Sequence, residues 1–406
     1  MTAVTARRIT SADDAFRVAA ELAAEFAVAA SERDRLRQLP HPEVRRLAES
    51  GLLAATVPEA YGGADLPPSA LAEVVRILAT ADPNIAQIPH SHFVYVNLLR
   101  LAGSDDQRKR YFTQVLGGAT IANAQSERGG TTVAQVATTI RPENGRLRID
   151  GAKFYCTGSL FADLLAVLTR LDDPEGRSGL EQGEYIAYLP ADAPGVEIID
   201  DWNAVGQRTT GSGTVRFDGV LVDPDQVVAR AEAVRAPTGY GAFAQLLHAA
   251  IDTGIARGAL GAAVEFVRTR SRPWFEASVE RAVDDPLVIQ RVGELSVSVT
   301  AAEATLTAAG LAVDAATRID HPDPDPIARA SLAVAAAKAV ADRAATEVPA
   351  ALFEVSGTRS AAADLNLDHF WRNARTHTLH DPVRWKYQHL GRALLHDTPP
   401  PLHGVV

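Results

Sequence analysis

The spacing of apolar residues along the chain changes twice. From residue 11 to about 118 they recur at helical spacing. "VRRLAESGLLAATVP" carries such a stripe, and its helix should stop at or before Gly51. "PEAYGGADLPP" reads as a Pro/Gly-rich loop. "SALAEVVRILATAD" predicts a second amphipathic helix with Ser69 as its N-cap, and "HSHFVYVNLLRLAG" a third that ends at Gly103. Between 119 and about 232 the pattern turns strand-like. "TTIRPENGRLRIDGAKFYCTG" predicts a hairpin turning at Glu143-Asn144-Gly145. "LLAVLTRL" and "EYIAYLP" are apolar strands, and "TVRFDGVLV" alternates through Val215 and Phe217 before slipping at Gly219, as a bulge would. From about 237 to 396 helical spacing returns in long, alanine-rich segments of the length that forms bundles. The expected fold is α+β, mostly α. It comprises an N-terminal helical domain (1–118), a small middle β-domain (119–236) and a C-terminal four-helix bundle with a tail (237–406). There is no sequence repeat, and the tail "DTPPPLHGVV" reads as loose or used in assembly.

Composition narrows the function classes. The chain has 406 residues, 47% hydrophobic and 22% charged, with a net charge of −10. That charge argues against nucleic acid or a membrane surface as partner. No apolar run is expected to reach the length of a membrane span, and "MTAVTARRIT" lacks the apolar segment of a secretory signal. Cys156 is the single cysteine, so no intrachain disulfide forms, and it reads as a buried small residue. A cytoplasmic protein is the expectation.

Candidate chemistry gathers near the end. Six of the 11 histidines (His369, His377, His380, His389, His396 and His403) follow residue 368. "RNARTHTLHDP" places His377, His380 and Asp381 within five positions, with the two histidines on one face of a helical turn. Imidazoles titrate near neutral pH and suit proton transfer, and Asp381 is placed to orient one of them. The competing readings are a solvated helix end and a metal site of the form His-x-x-His-Asp. No second cluster in the sequence completes a ligand set, so no metal is expected. No G-x-G-x-x-G opens a helix after a strand; the nearest glycine cluster, "TTGSGTV", runs into a strand.

Several stretches, in order, resemble the acyl-CoA dehydrogenase family: "ESGLLAATVPEAYGG", "IDGAKFYCTGSLFAD", "GQRTTGSGTVRFDGVLVD", "FVRTRSRPW" and "ALFEVSGTRSA". Dehydrogenases of this family carry a catalytic Glu in a motif similar to "RDAKIYQIYEGT". Here Asp381 stands at the Glu position and Pro382 at the following Gly. Asp is one methylene shorter, and proton abstraction needs hydrogen-bond reach. "WRNARTHTLHDPVRWK" instead resembles the flavin-dependent, two-component monooxygenase branch of the fold, which includes dibenzothiophene monooxygenase and sulfur-acquisition oxidoreductases.

The resemblance implies a function. A separate NAD(P)H:flavin reductase supplies reduced FMN (FAD being the alternative), O2 forms a C4a-hydroperoxyflavin, and one oxygen atom passes to the sulfur or nitrogen of a small apolar substrate. It implies catalytic roles for His377, His380, Asp381, Ser159 and His92 (with His90 as the alternative to His92). It implies flavin contacts from Ser126, Thr157, Ser159, Trp202, Arg272, Gly357 and His377. Ser159 alone reads equally as a strand-end serine bonded to backbone, His92 as a core histidine, Trp202 and Phe161 as core aromatics, and Arg272 as a surface cation competing with Arg270. A homotetramer is expected, with Arg272 serving a neighbour's flavin. The rival functions are an acyl-CoA dehydrogenase with an altered base and a non-catalytic flavin or acyl-CoA binding protein.

Overall fold

The computed structural model describes residues 6–129, 132, 135–317 and 324–404. The first helices are α1 (Ala12–Ala27), α2 (Ala30–Leu36), α3 (His41–Glu49), α4 (Pro68–Ala81), α5 (Pro83–Gln87), α6 (His90–Ala102) and α7 (Asp105–Leu116). The strands are β1 (Ile121–Ala124), β2 (Thr139–Glu143), β3 (Arg146–Lys153), β4 (Leu164–Leu171), β5 (Glu184–Pro190), β6 (Val196–Ile199), β7 (Thr214–Val222) and β8 (Val227–Ala229). Then come α8 (Arg230–Val234), α9 (Tyr240–Thr269), α10 (Pro286–Thr317), α11 (Pro324–Ser356), α12 (His369–His377) and α13 (Val383–His396).

The strands form one sheet in the order β6-β7-β3-β2-β4-β5-β8, with β1 parallel to the first half of β4. The β2–β3 turn has φ of 51° at Asn144 and 79° at Gly145, the two positive angles that a mirror-image two-residue turn requires. The β3–β7 register breaks between Ile149 and Gly151, opposite Gly219 at φ 64°. The sheet has its own core, including Ile140, Ile149, Val167 and Phe217. A second core runs through the helices, from Leu22 and Leu78 to Leu99, Leu247 and Val334. The long helices α9, α10 and α11 pack together, and α4 of the N-terminal part lies across α9.

Three sequence expectations change. Ser69 does not cap α4, whose N-cap is Pro67; its N–H and hydroxyl bind Asp314 of α10 instead, tying the N-terminal helices to the bundle. Helix α10 is long and apolar enough to cross a membrane by length and composition, so an apolar run of that length does exist. Leu287, Ile289, Val297 and Leu311 on it are exposed. The tail also lies against the body: Pro401, Leu402 and His403 border a cleft with Val234, Tyr240 and Ile327.

Two neighbouring residues of α2 set the position of α12. Arg33 binds Asp82 at 2.9 Å, and Asp82 caps α5 through the N–H groups of Asn84 and Ile85. Asp34, 1% exposed, receives the Arg372 guanidinium of α12 at 2.6 Å. The 201–213 loop closes from the other side. Gln207 N–H donates to Asn373 Oδ1 at 2.6 Å, and Thr209 N–H to Asn84 Oδ1 at 3.3 Å. Gly206 lies so close to α12 that a Cβ there would stand 1.9 Å from the Arg372 carbonyl oxygen. Gly206→Ala should therefore cost roughly 1–3 kcal/mol of stability by forcing the loop off the helix; urea denaturation that gives parental stability would show the contact to be slack.

Candidate active site

Four histidines converge from three parts of the chain: His90 on α6, His248 on α9, and His377 and His380 at the end of α12. Helix α12 ends at His377, and Pro382 stands as the N-cap of α13. The chain makes a tight turn in which His380 N–H reaches the His377 carbonyl. His90 stacks on His248 with ring centroids 3.9 Å apart, and His248 lies 4.7 Å from His380 and 5.1 Å from His377.

The hydrogen bonds define the proton positions. Asp252 Oδ1 can only accept, so His377 donates to it from Nδ1 at 2.5 Å. Asp252 Oδ2 takes the Lys338 ammonium at 2.7 Å, and all three residues are buried. Burial pushes the Asp252 carboxyl up, but Lys338 and His377 outweigh it and hold it at about 2. His377 Nε2 faces His248 Nδ1 at 3.1 Å. His380 donates from Nδ1 to the His377 carbonyl at 2.6 Å, and its Nε2 accepts from the Gln87 amide at 2.8 Å. His380 opens to solvent on one side and is enclosed by protein on the other; that enclosure and the neighbouring His377 push its pKa down.

The expected residues separate into three groups. His377 and His380 sit together as the motif suggests. Asp381 does not orient either of them: it is 5% exposed and pairs with Lys386 of α13 at 2.9 Å. The orienting carboxylate is Asp252, 125 positions earlier. His92 is a core histidine. Its Nε2–H donates to Leu53 O at 2.8 Å and its Nδ1 accepts from Ile121 N–H at 3.1 Å, so no ring nitrogen remains for a ligand. It borders a shallow apolar cleft together with Phe161 and Gly158, and His90, not His92, joins the cluster. Ser159 serves the backbone, its hydroxyl turned to Gly211 O at 3.4 Å. Thr157 begins a buried hydroxyl chain instead, 2.8 Å from Ser212, which is 2.7 Å from Thr210.

The remaining residues lie at or beyond the edges of this region. Trp202 meets Tyr155 edge-on at 6.0 Å and donates to Gln207 O. Ser126 bridges Phe154 on an exposed edge. Arg272 is exposed in the loop after α9, and Gly357, at φ 74°, follows α11. Arg270 lies over the Phe266 ring. Ring nitrogens of His248, His377 and His380 lie within 4.8 Å of one another. That is the spacing of a three-histidine metal site, although His380 Nε2 lies 2.8 Å from the Gln87 amide.

Sequence reading missed Asp252, Lys338, His248, Gln87 and Asn373. The signal for two of them was present: a lone Asp in "HAAIDTGIA" and a lone Lys in "AVAAAKAVA" are charges in otherwise apolar helix faces, and such charges are paired when buried.

Several polar atoms around this region are buried and have no hydrogen-bond partner among the described residues: Asn123 Oδ1, Gln207 Oε1 and Nε2, Asn373 Nδ2 and Gln87 Oε1. Tyr155, a half-exposed aromatic at φ 61°, stands beside Trp202. Arg128 lies over the Phe154 and Tyr155 rings. Trp202 and Tyr155 stand perpendicular to each other, so at most one of them offers its face to a flat ligand.

Comparison with known proteins gives the setting. Residues 12–119, 122–220 and 246–385 match the N-terminal, middle and C-terminal domains of acyl-CoA dehydrogenase. Dibenzothiophene monooxygenase from Rhodococcus qingshengii is 34% identical over 395 residues, 94% of this chain and 93% of that protein. FMN-bound TdsC from Paenibacillus sp. A11-2 aligns with a TM-score of 0.91 at 33% identity, covering 97% of this chain and 100% of that one. Methanesulfinate monooxygenase MsuC from Pseudomonas fluorescens gives 0.88 at 30% identity, covering 96% and 99%.

The buried imidazoles predict acid lability. Burial holds His92 and His90 at about 4, against 6.5 for a free imidazole, and drives His248 well below that ordinary value. Because the folded pKa values are lowered, the unfolded chain takes up protons first as pH falls. Their contribution to stability is complete above about pH 6.5 and is lost on the way down to about pH 4. His92 alone should remove about 2 kcal/mol between pH 7 and pH 5. Urea denaturation at the two pH values measures the loss. His92→Leu should be less stable at pH 7 but lose less on acidification, and equal parental stability at both pH values would refute the account.

Proposed function

The chain belongs to the acyl-CoA dehydrogenase family, in the branch that holds the dibenzothiophene monooxygenases, and from that premise we propose that it is a two-component flavin-dependent monooxygenase acting on a small apolar organosulfur compound. The observation that carries this reading over the dehydrogenase alternative is Asp381. It occupies the position of the dehydrogenase base, yet it is buried against Lys386 of α13 and cannot reach an acyl α-proton there. The histidine cluster stands in its place.

When bound, reduced flavin supplies the electrons that activate O2 and holds one oxygen atom for transfer. We assign the holding of its ring to Trp202 as a wall and to Asn123, Gln207 and Asn373 as amide partners, because these amides carry the buried polar atoms described above. Thr157 takes the hydroxyl role that the sequence resemblance gave to Ser159. Its hydroxyl is shared with Ser212, whereas Ser159 is committed to backbone. His377 and His248 hold a transferable proton beside the pocket, and the surrounding apolar helices exclude water. FMN is favoured over FAD by the FMN-bound relative. The partner is an NAD(P)H:flavin reductase, which fits a chain with no dinucleotide fingerprint, and the setting is the cytoplasm.

Two experiments test the reading. Flavin-free protein is loaded anaerobically with reduced FMN and pulsed with O2 in the presence of dibenzothiophene or methanesulfinate. An oxygenated product with little hydrogen peroxide is expected, and acyl-CoA oxidation in its place would establish the dehydrogenase. Thr157→Val should shift the output toward peroxide by roughly three- to twelvefold, the worth of one neutral hydrogen bond. Ser159→Ala should do less; the reverse ranking would restore Ser159 to the flavin.

We further propose a homotetramer. The exposed apolar residues of α10 and the exposed Trp274 and Phe275, next to Arg272, form a surface that a second copy would cover. Sedimentation should give four chains per particle, and a monomer that binds FMN normally would remove both the assembly and the role of Arg272 across it.

A further inference from the structure

We infer that Asp252 and Lys338 are positioning residues that make His377 and His248 a single proton-holding unit, with His248 as the member that delivers the proton to the pocket. The inference rests on the monooxygenase reading for what the proton is used for, but not for the existence of the unit.

The argument starts from the carboxylate. Asp252 offers no proton, so its bond to His377 requires the His377 proton on Nδ1. His377 Nε2 is then the free end of that ring, and it faces His248 Nδ1 at 3.1 Å. Two nitrogens at that separation share one proton. With the proton on His248, His377 Nε2 accepts it and His248 Nε2 carries a lone pair. When His248 Nε2 takes up a proton from outside the unit, the Nδ1 proton passes to His377 Nε2, His248 Nδ1 accepts and His248 Nε2 carries the new hydrogen. Uptake of one proton at His248 Nε2, and its release to a ligand as the shared proton returns to His248 Nδ1, therefore switches that atom between acceptor and donor. That atom makes no hydrogen bond among the described residues, so it is the end that a ligand meets.

The other rings are less suited. His380 has both nitrogens engaged, by the His377 carbonyl and the Gln87 amide. His90 spends Nε2–H on the Ala244 carbonyl at 3.0 Å and otherwise serves as the plate on which His248 stacks. Lys338 completes the device. It takes the second oxygen of Asp252, so the carboxylate fixes the direction of His377 without being its sole counter-ion.

The test has one readout independent of turnover. In flavin-free protein with 15N-labelled histidine, parental His377 should show the Nδ1–H tautomer, and Asp252→Asn should alter the ring-nitrogen signals of both His377 and His248. Asp252→Glu should return part of the parental pattern. A change confined to His377 would overturn the shared unit, whatever the enzyme's activity. Lys338→Met paired with Asp252→Asn keeps the site neutral and guards against a variant that fails to fold; it should show the same disturbed tautomers. In turnover with reduced FMN, O2 and dibenzothiophene, His248→Phe preserves the stacked ring and should lower product at least a hundredfold, within the range of acid–base groups, with FMN affinity within twofold of parental. Parental product yield from His248→Phe would overturn the assignment of His248. If the parental protein itself oxygenates neither dibenzothiophene nor methanesulfinate, the reading of function fails separately, and the nitrogen signals still decide whether the unit exists.

Discussion

The site depends on one buried carboxylate held by two partners. Asp252 sits in the middle of α9 with no solvent contact, and its two oxygens are divided between Lys338 of α11 and His377 of α12. A lone charge at that depth would be prohibitively costly, and a simple Asp–Lys pair would join only two helices. The third partner makes the difference. Because His377 is included, the same interaction that neutralises the bundle interior also orients an imidazole toward His248.

The N-terminal helices and the β-domain act as supports for that geometry. Arg33 and Asp34 are adjacent on α2, yet one holds the start of α5 through Asp82 and the other holds α12 through Arg372. Gln87 on α5 and His380 beyond α12 are thereby brought to 2.8 Å. From the sheet side, the 201–213 loop clamps α12 through Gln207 and touches α5 through Thr209. The same loop carries Thr210 and Ser212, which fix the Thr157 hydroxyl. A single rigid frame therefore places the hydroxyl chain, the amides and the histidine cluster around one region, as preorganised catalysis requires.

Within the family, the same last-helix motif serves two chemistries. A dehydrogenase needs a carboxylate that points into the pocket. Here Pro382 ends the turn at that position, α13 starts at Val383, and Lys386 on its first turn draws Asp381 away. The imidazoles that stand in its place are kept neutral by burial.

The sequence by itself determined the architecture. Periodicity set the helical, β and helical thirds; Asn144-Gly145 set the hairpin turn; and Gly219 marked the bulge. These are local effects, decided by backbone angles and by which face of an element is apolar, and each is written in a few consecutive residues. The tertiary structure decided which partners those residues met. Asp252 replaced Asp381 as the orienting carboxylate, Ser159 turned to the backbone while Thr157 met Ser212, His90 replaced His92 in the cluster, and Ser69 turned from a cap to a tie with Asp314. Each substitution links positions far apart in the chain or separates neighbours on one helix by rotation. Hydrogen bonds are directional within a few tenths of an ångström, and the packing of helices against one another, not the spacing of letters, sets distances to that tolerance.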